Sequence, residues 1–532
     1  MLNNKQIIEL ATQYENTHPV EEYRFYDWNV WPLIREETTL SAMSPSFSQG
    51  GTCKRYFNAL KSCLKQLPFF KSIVSVLIGV VTFLRKLSMA RSWQKDWQAV
   101  LECDPSHNDN YLASDRDVLV FTFSERRLQS DQGLYEIYSD PLVESLNKMG
   151  VATLVWERGD ERYPRYSPSA WVSQLLSREM EKLPDLPLLT EPPWFRDFAS
   201  FTTSVLGRKK SWVEIESSIQ YVQKLSIVFE RWLKQTEVKL LISVGWYLPD
   251  VMALTLAAKR LGIVVVDLQH GIQGYGHDAY YGWEKTPDLG YELVPDIFLC
   301  WGTRQAEQVM EYNPAFAKHC NAITGGNLWL NKWRYSDCSL FNVSSELLAK
   351  QSAAYNKVIL VSLHPGKELY KFVINALTLS PDEYYWLLRF HPGTSHQERS
   401  LIKGMLASLS RTNYEFELSS QIPLYALLQQ SNLHITGHST TAQEALCFGL
   451  PTITVTKNGV SAYAEFIDAG TIFYVASVAE LFQAIVACET VTALQCQESV
   501  QEYFAPQNIA EDGIHQLLSA AGVNRIQVYI DK

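Results

Sequence analysis

The segment 437–444 carries the residues best suited to binding a ligand, because it joins a predicted buried strand to the start of a predicted helix. Its hydroxyl and imidazole side chains belong to His438, Ser439, Thr440 and Thr441. The first turn of a helix offers backbone N–H groups without intrahelical partners, and the helix dipole favours an anion there. Glu444 lies one turn further on, where a carboxylate can accept a hydrogen bond from a sugar hydroxyl. The segment therefore predicts a site for a nucleotide diphosphate or nucleotide sugar, unless its Ser and Thr residues only cap the helix.

A glycine-rich loop follows another predicted buried strand, at 263–268. His270 lies where this strand ends, and Gly271 and Gly274 allow the backbone of the loop to approach a ligand closely. A histidine in such a loop can act as a general base near neutral pH. The sequence therefore makes His270 the first candidate for a catalytic base. The alternative is a hydrogen-bonded histidine that supports the turn.

Two His-Pro-Gly turns follow the first two strands of a second strand series. His364 begins the first turn, and Lys367 opens the helix after it. The second turn begins at His391, with Arg389 two residues before it. Basic and N–H groups beside a rigid proline turn suit a phosphate oxygen. Because both turns lie at strand ends of one predicted sheet, we expect them to contribute to the same donor-binding site.

A charged loop at 124–127 follows the first strand of the first series. Glu125 is the second candidate for the base, and the two arginines after it suit an acidic acceptor. The alternative is an ordinary exposed loop, since charged residues are mostly found on the surface. Asp115-Arg-Asp117 has the spacing of a metal-binding motif but leads into a strand instead of following one. We therefore expect neither a metal ion nor an organic cofactor.

The elements that must position these loops alternate between strand and helix from Asp117 onward, which is typical of parallel sheets. The predicted organisation is a helical region 1–110, a Rossmann-like acceptor domain 117–325, a Rossmann-like nucleotide-donor domain 326–490, and C-terminal helices 491–532 that cross back to the first domain. An irregular insertion is expected at 160–210 and a linker at 325–355. Two facing doubly wound domains place a ligand cleft at the carboxyl ends of both sheets.

Composition narrows the class of protein. The chain has 532 residues, 46% hydrophobic and 20% charged, which is typical of a folded protein of two or three domains. A net charge of -10 argues against nucleic-acid binding, which requires a basic surface. The nine cysteines are scattered and form no C-x-x-C pair, so they indicate reduced thiols in a cytoplasmic protein.

One basic and apolar segment, 54–95, departs from this character. It contains nine Lys and Arg residues and no Asp or Glu, and it encloses the apolar run 72–84. Thirteen helical residues would reach only about 20 Å, less than the ~30 Å hydrocarbon core of a bilayer. The basic flanks suit the anionic inner leaflet, so we expect peripheral association with the inner face of the cytoplasmic membrane. The alternative is a core helix with solvated basic neighbours.

The motifs resemble those of a known enzyme class. The segment 437–451 is similar to the donor-site signature of GT-B glycosyltransferases, which implies that Ser439, Thr440 and Thr441 hold donor phosphates and that Glu444 lies near the ribose. The second His-Pro turn is similar to the motif of bacterial sialyltransferases, Kdo transferases and teichoic-acid glycerophosphotransferases. Those enzymes use cytidine nucleotides, which makes His391 a candidate contact to the donor phosphate. The loop 269–271 resembles the His-Gly element of the glycerophosphotransferases, in which the histidine is proposed as the base.

The resemblance implies a metal-independent GT-B glycosyltransferase of bacterial surface-polysaccharide biosynthesis, such as that of capsule or lipopolysaccharide. We expect a nucleotide-sugar donor, of CMP or CDP type in preference to UDP, and a glycan or lipid-linked acceptor. Three alternatives stay open. They are a teichoic-acid type CDP-polyol phosphotransferase, a non-catalytic polysaccharide-assembly protein, and a nucleotide-sugar 2-epimerase, which shares the architecture but has no need of a membrane segment.

Overall fold

A computed structural model describes residues 2–43, 116–160, 164–271, 273–274, 277–335, 342–363, 367–391 and 394–523. Contacts divide the chain into one compact unit, Met1–Thr39 with Tyr111–Lys532, and a second unit, Leu40–Asn110. Of the second unit only 40–43 are described, so the proposed membrane segment 54–95 lies outside the described residues. Both sheets and the helices that cover them belong to the first unit.

The strands and helices are numbered in chain order. The strands are β1 Arg24–Phe25, β2 Trp28–Asn29, β3 Val118–Phe123, β4 Arg127–Ser130, β5 Gly133–Glu136, β6 Thr153–Arg158, β7 Ala170–Trp171, β8 Leu240–Ser243, β9 Val264–Leu268, β10 Ile297–Cys300, β11 Asn321–Thr324, β12 Lys357–Leu363, β13 Tyr384–Phe390, β14 Tyr414–Glu415, β15 Leu433–Thr436, β16 Thr452–Thr454 and β17 Ile472–Tyr474. The helices are α1 Asn4–Thr17, α2 Trp31–Met43, α3 Ser139–Lys148, α4 Ser173–Glu181, α5 Phe195–Leu206, α6 Trp212–Leu233, α7 Pro249–Arg260, α8 Thr303–Glu311, α9 Leu328–Tyr335, α10 Asn342–Ser352, α11 Lys367–Leu379, α12 His396–Ala407, α13 Leu424–Gln430, α14 Thr441–Cys447, α15 Lys457–Ala462, α16 Ala464–Asp468, α17 Val478–Ala487, α18 Ala493–Ser499 and α19 Gln507–Ala520.

The N-terminal sheet has seven parallel strands in the order β11-β10-β9-β8-β3-β6-β7. Its inner strands β8 and β10 are buried along their whole length and mostly apolar, because a parallel sheet is covered by helices on both faces. One face packs against α3, through Leu142 and Leu146, and against α19 at the far end of the chain, through Ile514 and Leu517. Helix α19 is therefore part of the core of the N-terminal domain.

The C-terminal sheet has six parallel strands in the order β14-β13-β12-β15-β16-β17. Helices α11, α12 and α17 supply apolar residues to one of its cores, for example Leu377, Leu406 and Ile485. The expected pair of doubly wound, Rossmann-like domains in a GT-B arrangement, with a helical N-terminal region, is confirmed by these two sheets and by α1 and α2.

A shared hydrophobic cluster joins the two domains. Tyr135 of β5 and Trp329 of α9 belong to the same buried cluster as Tyr425 of α13 and Phe504. The rings of Tyr135 and Trp329 are 5.1 Å apart, and those of Trp329 and Tyr425 are 6.0 Å apart. Because side chains of both domains pack into this one cluster, it fixes the two domains relative to each other.

The N-terminal helices brace the segment that follows the loop of His270. Glu15 of α1 and Arg35 of α2 form a salt bridge of 2.7 Å in which both side chains are fully buried. Glu15 also accepts hydrogen bonds from the backbone N–H groups of Glu284 and Lys285, and the Arg35 guanidinium lies 4.0 Å from the ring centre of Trp283. A buried pair of this kind is tolerated because backbone groups of the described residues satisfy most of its remaining hydrogen-bonding atoms, with Nε of Arg35 as the exception.

Two expectations from the sequence were wrong. The region 160–210 is not irregular, since it contains α4, α5 and the edge strand β7, and Trp194 beside α5 stacks on Tyr23 at 4.3 Å. Its prolines lie outside these helices, where they do not interrupt helical hydrogen bonds. The stretch 325–355 is not a linker, because α9 and α10 lie in it and Trp329, Trp333 and Leu348 are buried in the shared cluster. Polar residues around short apolar faces hid both helical segments.

No single helix among the described residues is long and apolar enough to cross a membrane. Val478–Thr490 and Ala493–Ser499 satisfy that test of length and composition only as a pair, with a bend of 96° between them.

Candidate functional site

The strand order places a topological switch point in each sheet. In the N-terminal sheet the order reverses between β3 and β8, and in the C-terminal sheet between β12 and β15. Ligands of open α/β sheets bind outside the carboxyl ends of the strands at such points. Among the described residues, the loops at these ends are 124–126, 244–248 and 437–440. Two of them contain residues that the sequence predicts for the site.

His270 lies just beyond the end of β9 and is held on two sides by tyrosines. The hydroxyl of Tyr247, from the loop after β8, lies 3.0 Å from Nε2 of His270. The hydroxyl of Tyr138 donates to the backbone carbonyl of His270 at 2.8 Å. Burial lowers the pKa of His270 well below its usual value, and the positive charge of Arg126 and the neighbouring His277 lower it further. The imidazole is therefore neutral at pH 7.

Asp267 holds in place the loop that carries Tyr247. It is fully buried, and its Oδ1 accepts hydrogen bonds from the N–H groups of Gly245 and Trp246, each at 3.0 Å. Its Oδ2 accepts a hydrogen bond of 2.6 Å from the Tyr280 hydroxyl. Gly245 has φ of +81°, which favours glycine, so the loop can turn toward the carboxylate. Burial raises the pKa of Asp267 to about 7 against the opposing effect of these hydrogen bonds. Asp267 thus fixes the loop that carries Tyr247.

The two arginines of the loop after β3 have different environments. Arg127 is buried and bonds Glu157 through Nε and Nη2, at 2.6 and 2.9 Å, so it holds the sheet edge together. The guanidinium of Arg126 lies 5.4 and 5.7 Å from the ring centres of Phe123 and Tyr138. Its Nη1 is buried and has no hydrogen-bond partner among the described residues. Arg126 therefore has an unused donor at the switch point of the N-terminal sheet.

Glu444 approaches the same place from the C-terminal domain. It lies in α14 and is 8% exposed, and burial raises its pKa to about 7, while a hydrogen bond with Tyr425 lowers it. The pKa of Tyr138 is raised by burial, lowered by Arg126 and raised by the negative charge of Glu444. Tyr138 therefore lies within electrostatic reach of Arg126 and Glu444 while it bonds the backbone of His270. His270 and Glu444, two residues that the sequence predicts for the site, therefore lie around one tyrosine.

The loop 437–440 is held by side chains from the strands and helices beside it. Tyr463 bonds the backbone of Ser439, and Thr454 donates to the carbonyl of Gly437. Ser439 Oγ and Thr441 Oγ1 lie 3.0 Å apart. Ser439 and Thr440 are half-buried, Thr441 is buried and His438 is exposed. The hydroxyls that the sequence predicts as phosphate ligands are thus close to one another.

Of the two His-Pro-Gly motifs, only His391, just after β13, is among the described residues. Arg389 donates through Nη1 to the carbonyls of Ser419, at 2.8 Å, and Ile422. Burial lowers the pKa of Arg389 to about 10. His391 is exposed, and its N–H donates to the carbonyl of Leu363 at 2.9 Å, which joins the ends of β12 and β13. His364 lies outside the described residues, as do its following proline and glycine, and of Lys367 only the backbone is described, as the first residue of α11.

The remaining predicted residues lie in the N-terminal domain. Glu125 is exposed, and a Cβ at Gly159, just after β6, would lie 3.0 Å from its Oε1. Glu125 therefore lies on the β6 side of β3, whereas His270 lies at the end of β9 on the other side. The carbonyl of Gly271 accepts a hydrogen bond of 2.8 Å from Nε2 of Gln269. Gly274 has φ of +99°, and a Cβ there would lie 3.2 Å from the ring of Tyr312. The loop thus requires glycine at 274 for its backbone and for its packing.

Sequence reasoning missed the tyrosines that organise the site. Tyr247 lies two residues after Gly245, in the loop that follows a buried strand, and this position could have marked it as a candidate site residue. Tyr138 and Tyr425 precede or lie in short helices far apart in the chain, and no local pattern marks them. Among the described residues, no group of three or more His, Cys, Asp or Glu side chains is arranged to hold a metal ion.

No known family model matches the chain, and no curated protein sequence matches it. Solved structures with a similar fold include the UDP-GlcNAc 2-epimerase of Neisseria meningitidis bound to UDP-GlcNAc, with 16% identity over 76% of this chain and 99% of that chain and a TM-score of 0.44. MnaA of S. aureus, in a structure with UDP, has 14% identity over 77% of this chain and 98% of that chain, with a TM-score of 0.48. The UDP-GlcNAc 2-epimerase of Methanocaldococcus jannaschii has 12% identity over 76% and 99%, with a TM-score of 0.44.

Proposed function

We propose that the protein is a metal-independent glycosyltransferase that moves a sugar from a nucleotide-sugar donor to a glycan or lipid-linked acceptor of a bacterial surface polysaccharide. The observation that carries the proposal is the position of Tyr138. Its hydroxyl bonds the backbone of His270, and its pKa responds to Glu444 of the other domain. This supports the proposal, in which an acceptor-side base and a donor-side acid border one cleft, as transfer between two bound substrates requires.

The donor binds the C-terminal domain in this proposal. The hydroxyls of Ser439 and Thr441 bind its phosphates, and Glu444 accepts a hydrogen bond from the ribose. The His-Pro turns at His364 and His391 contribute further phosphate contacts, and their similarity to cytidine-nucleotide enzymes favours CMP- or CDP-linked sugars. The 3.0 Å contact between the two hydroxyls supports a shared phosphate oxygen as their ligand.

The acceptor enters from the N-terminal domain. The imidazole of His270 takes the proton of the acceptor hydroxyl, whose oxygen then forms a bond to the anomeric carbon. The bond between that carbon and the donor phosphate oxygen breaks, and its electron pair stays on the phosphate. The Arg126 guanidinium, with its unused Nη1 donor, stabilises the departing phosphate. The neutral state of His270 supports this role, because a base must be unprotonated before the reaction.

A lipid-linked acceptor would explain the basic apolar segment 54–95. We propose that this segment attaches the protein to the inner face of the cytoplasmic membrane, near its acceptor. A liposome flotation assay tests this part by comparing vesicles with and without anionic lipid. Binding that requires anionic lipid supports the proposal, and failure of the protein to bind either type of vesicle contradicts it.

A thermal-shift measurement with CMP, CDP, UDP and GDP tests the nucleotide. Stabilisation by CMP or CDP supports the cytidine preference, whereas a response to UDP or GDP alone refutes it. Donor consumption is then followed for the wild type and for His270→Ala, with His319→Ala, an exposed histidine, as the matched control. We expect His270→Ala to lose at least a hundredfold in rate while it binds the nucleotide normally, because general-base catalysis contributes about 10²–10⁴-fold.

The CDP-polyol phosphotransferase is the second candidate function, and the short His-Pro and His-Gly motifs favour it equally. Transfer of radiolabelled phosphate from a CDP-polyol would identify it, since a glycosyltransferase leaves both phosphates on the nucleotide. A folded wild type that binds a nucleotide but consumes none of the donors would instead favour a non-catalytic role on the same fold.

A further inference from the structure

A polar cavity of about 320 Å³ lies between the two domains, beside the loop of His270. We call it the glutamine cavity, because Gln273, Gln305, Gln308 and Gln443 line it. Gln273 lies three residues after His270, and Gln443 directly precedes Glu444. The cavity therefore opens between the acceptor-side loop and the donor-side helix. Its volume falls at the lower end of the roughly 300–1,000 Å³ that small-molecule sites occupy.

Two buried amides that line the cavity each have one atom without a partner. Gln305 of α8 is 4% exposed, and its Oε1 forms no hydrogen bond with any described residue. A buried polar atom without a partner is costly, so such a group usually has a ligand or an ordered water as its partner. Oε1 of Gln273 accepts a hydrogen bond from the thiol of Cys300 at 3.3 Å, while its Nε2 has no partner among the described residues. The cavity thus combines an unfilled acceptor with an unfilled donor.

The charges that line the cavity are compensated. Arg304 and Glu465 are the charged residues among the described lining. Arg304 lies 3.6 Å from a carboxylate oxygen of both Glu307 and Glu311. Glu465 accepts a hydrogen bond from the hydroxyl of Tyr503. A phosphate would therefore meet more negative than positive charge here, in contrast to the unfilled donor of Arg126 at the switch point.

Aromatic side chains complete the wall of the cavity. Tyr281 and Tyr312 line it with ring centres 5.0 Å apart. Their rings offer apolar faces, and each ring carries a hydroxyl at one end. Amides and tyrosines together suit a ligand with hydroxyl groups on its edge and C–H groups on its face.

We infer that the glutamine cavity binds an uncharged, hydroxyl-rich unit, namely a neutral saccharide residue of the acceptor. This inference rests on the proposed glycosyl transfer, because it assigns the acceptor to one side of the cleft. The oxygen of Gln305 accepts a hydrogen bond from a saccharide hydroxyl, and the rings of Tyr281 and Tyr312 cover the face of the sugar. Charged nucleotide phosphates bind elsewhere, near Arg126 and the loop 437–440.

Saturation-transfer NMR on the full-length protein tests the inference. The probes are methyl glycosides of neutral hexoses and of N-acetylhexosamines, with glucuronic acid as the charged comparison. We compare the wild type with Gln305→Leu and Gln308→Leu, and with Gln235→Leu, at an exposed position just after α6, as the matched control. Gln305→Leu removes an unpaired oxygen, so it should leave the melting temperature unchanged or higher.

We expect wild type and Gln235→Leu to bind a neutral glycoside and Gln305→Leu to bind it about three- to tenfold more weakly, as the loss of one hydrogen bond implies. Gln308→Leu, at a half-buried position, should show a smaller loss. Equal binding by Gln305→Leu and wild type, preference for glucuronic acid, or no transfer to any neutral glycoside overturns the inference. The thermal shift with CMP or CDP separates the two proposals, because a retained nucleotide response leaves the transferase proposal standing.

Discussion

The substitution Glu444→Gln tests the electrostatics of the cleft most directly. Burial raises the pKa of Glu444 from 4.5 to about 7. Below pH 4.5 the carboxyl is protonated in both the folded and the unfolded chain, so its titration does not lower the free energy of unfolding. Between pH 4.5 and 7 the unfolded chain releases the proton first, so the free energy of unfolding falls as pH rises. Above pH 7 the cost is constant, and at 1.36 kcal/mol per pH unit it amounts to about 3 kcal/mol.

Glutamine keeps the size of the side chain and the oxygen that faces Tyr425, but it cannot ionise. We therefore expect Glu444→Gln to be more stable than wild type at pH 8 by up to about 3 kcal/mol, and the gap to close toward pH 4.5. Urea denaturation followed by intrinsic fluorescence measures the free energy of unfolding at both pH values.

Glu498→Gln, at an exposed position on α18, is the matched control and should change the free energy of unfolding by less than about 0.5 kcal/mol at either pH. A Glu444→Gln variant that is no more stable at pH 8, or whose gain does not depend on pH, would refute the reasoning. The carboxylate would then be compensated by a positive group, and the donor side of the cleft would be more basic than proposed.

Three further predictions follow from single contacts. If His270 is the base, the acidic limb of the kcat/KM profile should have its midpoint below pH 6.5, because the ring protonates only as pH falls through its lowered pKa; a midpoint above 6.5 contradicts this. Glu15→Ala leaves a buried arginine unneutralised and should cost about 3–5 kcal/mol in urea denaturation, whereas Glu9→Ala, in an exposed pair, should cost at most about 0.5 kcal/mol. Gly459→Ala would place a Cβ in steric overlap with Oγ1 of Thr454, which holds the loop 437–440. Displacement of this loop should weaken the thermal shift caused by the nucleotide, and an unchanged shift would show that the loop is not part of the donor site.

The sequence was a sound guide wherever a pattern is local. The sequence predicts strands at 357–363, 384–390 and 433–436 and a helix at 441–447, and all four begin and end at these residues in the structure. A buried parallel strand must be apolar on both faces, and the polar loop after it marks its end. For the same reason His270 and the loop 437–440 could be recognised as sheet-edge residues before their surroundings were known.

The tertiary structure alone decided which of these residues meet. Tyr138, Tyr247 and Tyr425 belong to no distinctive sequence pattern, yet they join His270 to its neighbours and bring Glu444 beside the same group. Contacts between residues far apart in the chain depend on how the sheets pack, and hydrophobic periodicity does not specify a particular partner. For the same reason the helices within 160–210 and 325–355 were not predicted. Their apolar faces are short, and they are stabilised by packing against α1 and against the cluster shared by both domains.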